Sequence, residues 1–402
     1  MLPLINNMIP RRNMKLYDKD LARYIILWAK EHNKEDYYFR FREELKKYFE
    51  NEDIFLLGGG RQALHLIFDS VDFVSGSEII IPNYYLETLI PLIKSKGLVP
   101  VFCDINRENL SLVLQDTLSK INKDTKFVIL CHMFGLCQNV EEFVKRVKEK
   151  KEDILIIEDC AHAFGSEYND QKLGTFGDFS LFSFHAIKPL TTLEGGALVV
   201  NNKDYRNDIV ENYAPYKFPG RVEIIRKIIN YYLLLITFES PFLLFLKYAL
   251  RRRKLRETIK RKYHSFKENH KGQKLSPFLS FLGYHQLRLF ERKQKIIFFI
   301  LEKYKKQLRP EVWNKRFTGH NSKWSYYYFA FLASSDSRNI EKNLASKGID
   351  VGIKDEIMDL CERNENLKNS IDIFERIVQV PLYPTLSEKK IEKVACELNK
   401  LI

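Results

Sequence analysis

The chain has 402 residues, of which 45% are hydrophobic and 29% charged, and a formal net charge of +13. This is the composition of a soluble globular protein, long enough for one large α/β domain and a smaller one. Six scattered cysteines without a C-x-x-C pair exclude a disulfide scaffold and a zinc site, and suit free thiols in a reducing, cytoplasmic compartment. The start, MLPLINNMIPRRNMKLY, lacks the apolar run and cleavage site of a secretory signal. The basic excess points to an anionic partner, and much of it lies between Lys247 and Lys267.

Taken in order, residues 1–30 read as an arm leading into a helix over Asp18 to His32, and a second helix covers Tyr38 to Phe49. The run Gly58-Gly59-Gly60-Arg61 precedes a helical pattern, so its amides and the helix dipole can receive a phosphate. Ser77 to Pro82 is a strand, and Asn83 to Lys96 reads as the helix after it. Strands over Val99 to Asp104 and Lys126 to Cys131 follow, with helices over Leu110 to Ile121 and Asn139 to Lys150. This alternation predicts a mostly parallel sheet flanked by helices. His132, at a strand end, either lines the site or is a satisfied structural histidine.

The stretch from Leu155 to Val200 carries the chemistry. A short apolar strand, Leu155 to Ile157, runs into Glu158-Asp159; a second, Asp178 to Phe184, carries Ser183, and Lys188 follows in a loop. Gly195-Gly196 then leads into the apolar run Ala197 to Val200. Such sheets bind ligands outside the carboxyl ends of their strands. A lysine there can form a Schiff base, a carboxylate can hold a heteroaromatic nitrogen protonated, and a serine can grip a phosphate. Together these requirements describe pyridoxal phosphate (PLP).

Beyond Lys203 to Gly220 the chain changes character. Ile228 to Leu250 is apolar but interrupted by Asn230, Glu239, Pro241 and Lys247, and the basic run Arg251 to Lys262 follows. Two short helices broken near Ser240-Pro241 are expected, either lying on an anionic membrane surface through residues 228–262 or packing on the protein or a dimer partner. Leu275 to Leu287 and Ser337 to Lys347 read as helices, Trp324 to Leu332 and Ile373 to Val380 as strands, and a helix closes the chain.

The runs Glu158-Asp159-Cys160-Ala161-His162 and Ser183-Phe184-His185-Ala186-Ile187-Lys188, with Glu194-Gly195-Gly196 beyond, resemble the PLP-dependent sugar aminotransferases of the DegT/DnrJ/StrS group. So does Val380-Pro381-Leu382-Tyr383-Pro384. The family's glycine is Leu193 here, and arginine, Arg61, stands where the phosphate-loop threonine is usual. The resemblance covers nearly the whole chain except the insert. It implies an α/β PLP-dependent transferase fold of type I: an arm and large domain over 1–220, the insert over 221–274, and a smaller C-terminal α+β domain over 275–402.

The resemblance also implies roles. Lys188 carries PLP and moves the proton, Asp159 pairs with the ring nitrogen, and His162 contacts the ring or its hydroxyl. Ser183 with Gly59, Gly60 and Arg61 holds the phosphate. The stacking ring falls at Leu86, so either Tyr85 supplies it from a shifted turn or both Tyr84 and Tyr85 pack in the core. An asparagine that reaches the partner subunit aligns near Gly272, with Asn269 close by. The implied reaction takes an amino group from an amino acid, glutamate in the family, to a nucleotide-linked keto sugar for surface polysaccharide or glycoconjugate synthesis. A homodimer and a cytoplasmic location follow, with no metal and no nucleic acid. The rival is a non-catalytic regulatory or membrane-surface protein on the same scaffold.

Overall fold

The computed structural model describes residues 8–401 except 14, 240–271, 327 and 355–357, and the side chains of 237–239 are also left out. The helix Leu21–Lys30 is capped by Asp20, whose side chain accepts from the Arg23 amide, and the helix Asp36–Phe49 follows. The strands, in chain order, are β1 (Ile54–Leu57), β2 (Glu78–Pro82), β3 (Tyr84–Tyr85), β4 (Val99–Cys103), β5 (Thr125–Cys131) and β6 (Leu155–Asp159). After a small hairpin of β7 (Glu167–Tyr168) and β8 (Gln171–Lys172) come β9 (Phe179–Ser183) and β10 (Gly196–Val200). The C-terminal part adds β11 (Phe329–Leu332), β12 (Gly352–Ile353), β13 (Asp359–Leu360) and β14 (Ile377–Val380).

Seven of these form one sheet in the order β1-β10-β9-β6-β5-β2-β4. Only β10 runs against its neighbours, so the sheet is mostly parallel, as the strand–helix alternation predicts. Because side chains alternate along a strand, each strand feeds two cores. Leu56, Ile80, Val128, Ile156 and Phe182 point to one face, where the helices Asp36–Phe49 and Pro277–Arg288 supply Phe41 and Phe281. Leu57, Ile81, Ile129, Ile157 and Leu181 point to the other. A third core belongs to the antiparallel sheet β11-β14-β12 with the helices Phe290–Gln307, Ser337–Ser346 and Glu388–Leu401, and Ile9 of the N-terminal arm is part of it.

Four expected elements come out differently. Asn83 does not open a helix: Tyr84–Tyr85 pairs with Asp359–Leu360, and helical turns begin only at Glu87. The helix expected from Leu110 starts at Leu114, after Leu110 itself turns through φ 61°. Ile373 to Arg376 ends the helix Lys368–Arg376 instead of opening a strand, and the strand expected from Trp324 begins at Phe329. In the insert, one helix covers Arg221–Glu239 and leaves Val222, Ile225, Ile229, Leu233 and Ile236 exposed along one stripe. The expected break at Ser240-Pro241 and the basic run Arg251 to Lys262 lie outside the described residues. Among the described residues no helix is long and apolar enough to cross a membrane.

Leu193 is buried at 1% exposure with φ 75°, in the left-handed region. This explains why the resembled family has glycine there, and it sets two effects against each other. A left-handed non-glycine residue costs roughly 1–2 kcal/mol, whereas removing a buried leucine side chain costs about 2–5 kcal/mol. Burial wins, so restoring the glycine by Leu193→Gly is expected to destabilise the protein by about 1–3 kcal/mol. Thermal melting checks this; a raised Tm would mean that strain outweighs the lost packing.

Candidate functional site

Three parallel strands end side by side. Cys131 at the end of β5 is in register with Asp159 at the end of β6, and Asp159 with Leu181 of β9, two residues before Ser183. β1 also ends at this edge, so the turn Gly58–Gly60 and the N-terminus of the helix Arg61–Ser70 lie beside Ser183. The approach is close: a methyl group built on Gly60 would lie 3.1 Å from Ser183 Cβ, and one on Gly196 would lie 2.6 Å from the Gly60 amide nitrogen. No larger residue fits at Gly196. Above Gly59 a methyl group would meet nothing within 4 Å, so the turn opens on free space. Arg61 donates from Nη2 to Thr88 Oγ1 at 2.7 Å.

Asp159 is 7% exposed. Its Oδ1 accepts from the Ala161 amide at 2.9 Å and its Oδ2 from the Tyr85 hydroxyl. Tyr85 therefore reaches the site through its hydroxyl, from the β3–β13 pair, while Tyr84 is equally buried and Leu86 half-buried. Burial, and then the negative charge of Asp159, pushes the Tyr85 hydroxyl well above its usual range, so it stays a donor. Cys131 is raised mainly by burial; Asp159 raises it further and Lys188 lowers it, so both charges act on one thiol.

His162 is 3% exposed, and its ring lies parallel to that of Phe134 with centroids 5.8 Å apart. Its Nδ1 accepts from the Phe134 amide at 3.4 Å. Burial, with the positive charges of Lys188 and Arg12, holds the imidazole well below its usual pKa. It is therefore neutral at physiological pH, and with Nδ1 accepting, Nε2 carries the proton. Lys188 follows β9 in a turn closed by its amide on the His185 carbonyl at 2.8 Å, and it borders a cavity shared with the N-terminal arm and with C-terminal residues such as Tyr328 and Tyr383.

His132 belongs to the frame. Its Nε2 and a Glu158 oxygen are 2.9 Å apart, and Glu158 also accepts from the amides of Gly174, Phe176 and Gly177. Both residues are fully buried. Cys160 completes a trio with them whose ligand atoms lie within 4.8 Å of one another. The Glu158 oxygens are already engaged by these donors, so the His132–Glu158 pair is a hydrogen-bonded brace beside the strand ends.

Lys188, Asp159, His162, Ser183, Tyr85 and the Gly59–Arg61 turn are thus gathered at one sheet edge. Asn269 lies outside the described residues, and Gly272 sits against the Tyr216 ring. Residues without a motif also border the cavity, among them Arg12, Lys293, Gln294 and Tyr328.

The sequence matches the model of the DegT/DnrJ/EryC1/StrS aminotransferase family over residues 26–399. The chain belongs to this family. Among curated relatives, GDP-perosamine synthase of Vibrio cholerae is 35% identical over 168 residues, 42% of this chain and 45% of that protein. The dTDP-4-dehydro-2,3,6-trideoxy-D-glucose 4-aminotransferase of Saccharopolyspora spinosa is 34% identical over 145 residues, 36% of this chain and 37% of that one. The matches thus span less than half of either relative. Among solved structures, the Helicobacter pylori aminotransferase PseC, involved in pseudoaminic acid biosynthesis, aligns over 98% of this chain and 99% of its own. Its TM-score is 0.74 at 18% identity, which establishes the shared fold. A Bacillus subtilis member of the fold, solved with bound cofactor PMP, gives a TM-score of 0.74 at 16% identity, over 98% of this chain and 85% of its own. The family match makes the chain an aminotransferase-family protein with the expected α/β fold.

Proposed function

We propose that this protein is a PLP-dependent aminotransferase that transfers an amino group from an amino acid, glutamate, to a nucleotide-linked keto sugar in surface-polysaccharide or glycoconjugate synthesis. One observation carries the reading: a lysine, a buried carboxylate, a neutral histidine and a glycine-lined helix N-terminus converge at one sheet edge. The donor set fits PLP. Asp159 would meet the ring nitrogen, the Gly59–Arg61 turn with Ser183 would take the phosphate, and Nε2–H of His162 would donate to the ring or its hydroxyl. Lys188 would be the covalent attachment.

When bound, the cofactor supplies an electron sink that stabilises negative charge at the donor's α carbon. The chain's own groups do the rest. Asp159, enclosed, would hold the ring nitrogen protonated, and its place is fixed by the Ala161 amide and the Tyr85 hydroxyl. Lys188, once displaced by the incoming amine, is the base that accepts the α proton. His162 contributes a donor without adding a positive charge.

Adding glutamate alone to the cofactor-loaded protein should bleach its visible absorbance band, and a suitable nucleotide-linked keto sugar should restore it. A band that glutamate leaves unchanged rejects glutamate as donor, and a band that no amino acid changes rejects transamination.

A further inference from the structure

We propose that Arg12 is a substrate-binding residue whose guanidinium grips an oxyanion of a substrate, a carboxylate or a phosphate, through a paired contact from Nε and Nη2. The proposal deepens the aminotransferase reading and rests on it in so far as the oxyanion belongs to a transamination substrate. The cavity beside Lys188 is lined by four basic side chains, Arg12, Lys15, Lys188 and Lys293, and, among the described residues, by no aspartate or glutamate. A cavity lined by charges of that sign attracts an anion.

Arg12 itself is the sharper observation. Its Nε and Nη2 are buried and, among the described residues, have no hydrogen-bond partner. These are the two donors on one edge of the guanidinium that match the two oxygens of a carboxylate or phosphate. The group is also fixed in direction, because its Cζ lies 4.8 Å from the centroid of the Tyr328 ring. Its neighbour Arg11 differs: alternating sides along the extended arm send Arg11 to Asp350, with 3.8 Å between Nε and Oδ2, while Arg12 faces the cavity.

Two further groups on the helix Phe290–Gln307 shape the ligand. The Lys293 ammonium is enclosed although its stem is partly exposed, and it donates to the Pro189 carbonyl at 2.7 Å. Burial pushes its pKa down to about 8; an oxyanion next to it would restore the charged form. Gln294 is 9% exposed, and its Oε1 is buried without a donor among the described residues. The ligand therefore presents an oxyanion with an N–H or O–H group near it. An α-amino acid has that pattern, and so does a glycosyl phosphate with its ring hydroxyls.

The test is calorimetric titration of the full-length, cofactor-loaded protein with 2-oxoglutarate and, separately, with GDP and dTDP. Arg12→Gln keeps most of the bulk and removes the charge; Arg12→Lys keeps the charge and loses the paired donors. Binding of at least one probe should weaken by about 30-fold or more in Arg12→Gln and by an intermediate factor in Arg12→Lys. Loss confined to 2-oxoglutarate assigns the oxyanion to the amino donor, and loss confined to the diphosphates assigns it to the sugar carrier; either supports the proposal. Unchanged binding of all probes in a folded Arg12→Gln overturns it, and if that variant does not fold, unchanged binding in Arg12→Lys does so. Failure of the aminotransferase reading would look different. Wild-type protein would then show no spectral response to any amino acid while Arg12→Gln still lost its oxyanion.

Discussion

Replacing Lys188 by alanine is expected to lower turnover by at least about 10³-fold, since it removes the proposed covalent attachment and proton-transfer base together. Borohydride treatment of the wild-type protein should place the pyridoxyl label on the peptide containing Lys188. The rival nucleophile is specific. Lys293 lines the same cavity, has a pKa of about 8 from burial, and so offers more neutral amine near pH 7 than an ordinary lysine. Position decides against it. Lys188 follows the strand that ends at Ser183 and acts on Cys131 and His162, the groups around Asp159. Lys293 is instead tied to the Pro189 carbonyl, and no interaction links it to the groups around Asp159 among the described residues. A label recovered on Lys293 would reverse the assignment.

For Asp159, charge and shape can be separated. Asp159→Asn preserves the size and an acceptor for the Ala161 amide but removes the negative charge that would keep a ring nitrogen protonated. Turnover should fall by about 10²–10⁴-fold while the melting temperature changes little. Asp159→Ala should lose activity to a similar extent and in addition lose about 1–3 kcal/mol of stability, because the buried Tyr85 hydroxyl is left without its acceptor. Steady-state rates and melting curves of both variants check this together. An Asp159→Asn protein that keeps a tenth or more of wild-type turnover would show that the carboxylate's charge is not needed.

Apart from β1, which was not read as a strand, the strands of the main sheet were legible because local signals agree there. Apolar runs such as Lys126 to Cys131 and Leu155 to Ile157 are too short for helices, are β-branched, and lead into polar residues. Where reading failed, distant parts of the chain decide. Asn83 would suit a helix start, but its side chain bonds the backbone of Glu362 in both directions and draws Tyr84–Tyr85 into a strand. Ile373 sits in a segment whose apolar residues fit both a two-residue and a helical period; Ser370, Ile373 and Phe374 turn out to share the buried face of a helix. The helix Phe290–Gln307, with Ile297, Leu301 and Tyr304 buried at helical spacing, carried a readable pattern. Arg12 did not. Nothing around it resembles a motif, and its surroundings come from residues near 188, 293 and 328.

The arm that presents Arg12 also sets a timetable for the protein's birth. Ile9 bridges Ile349, Arg11 meets Asp350 and Asn13 bonds Thr385, so one wall of the cavity joins segments more than 300 residues apart. Arg11 leaves the ribosome 339 residues ahead of Asp350, a wait of roughly 15–70 s at ordinary synthesis rates. The central sheet, complete at Val200, can form during that interval, with its carboxyl edge already holding Asp159, Ser183 and Lys188. The lysine is thus made long before the wall that encloses it, and only a chain synthesised through Thr385 can complete that wall.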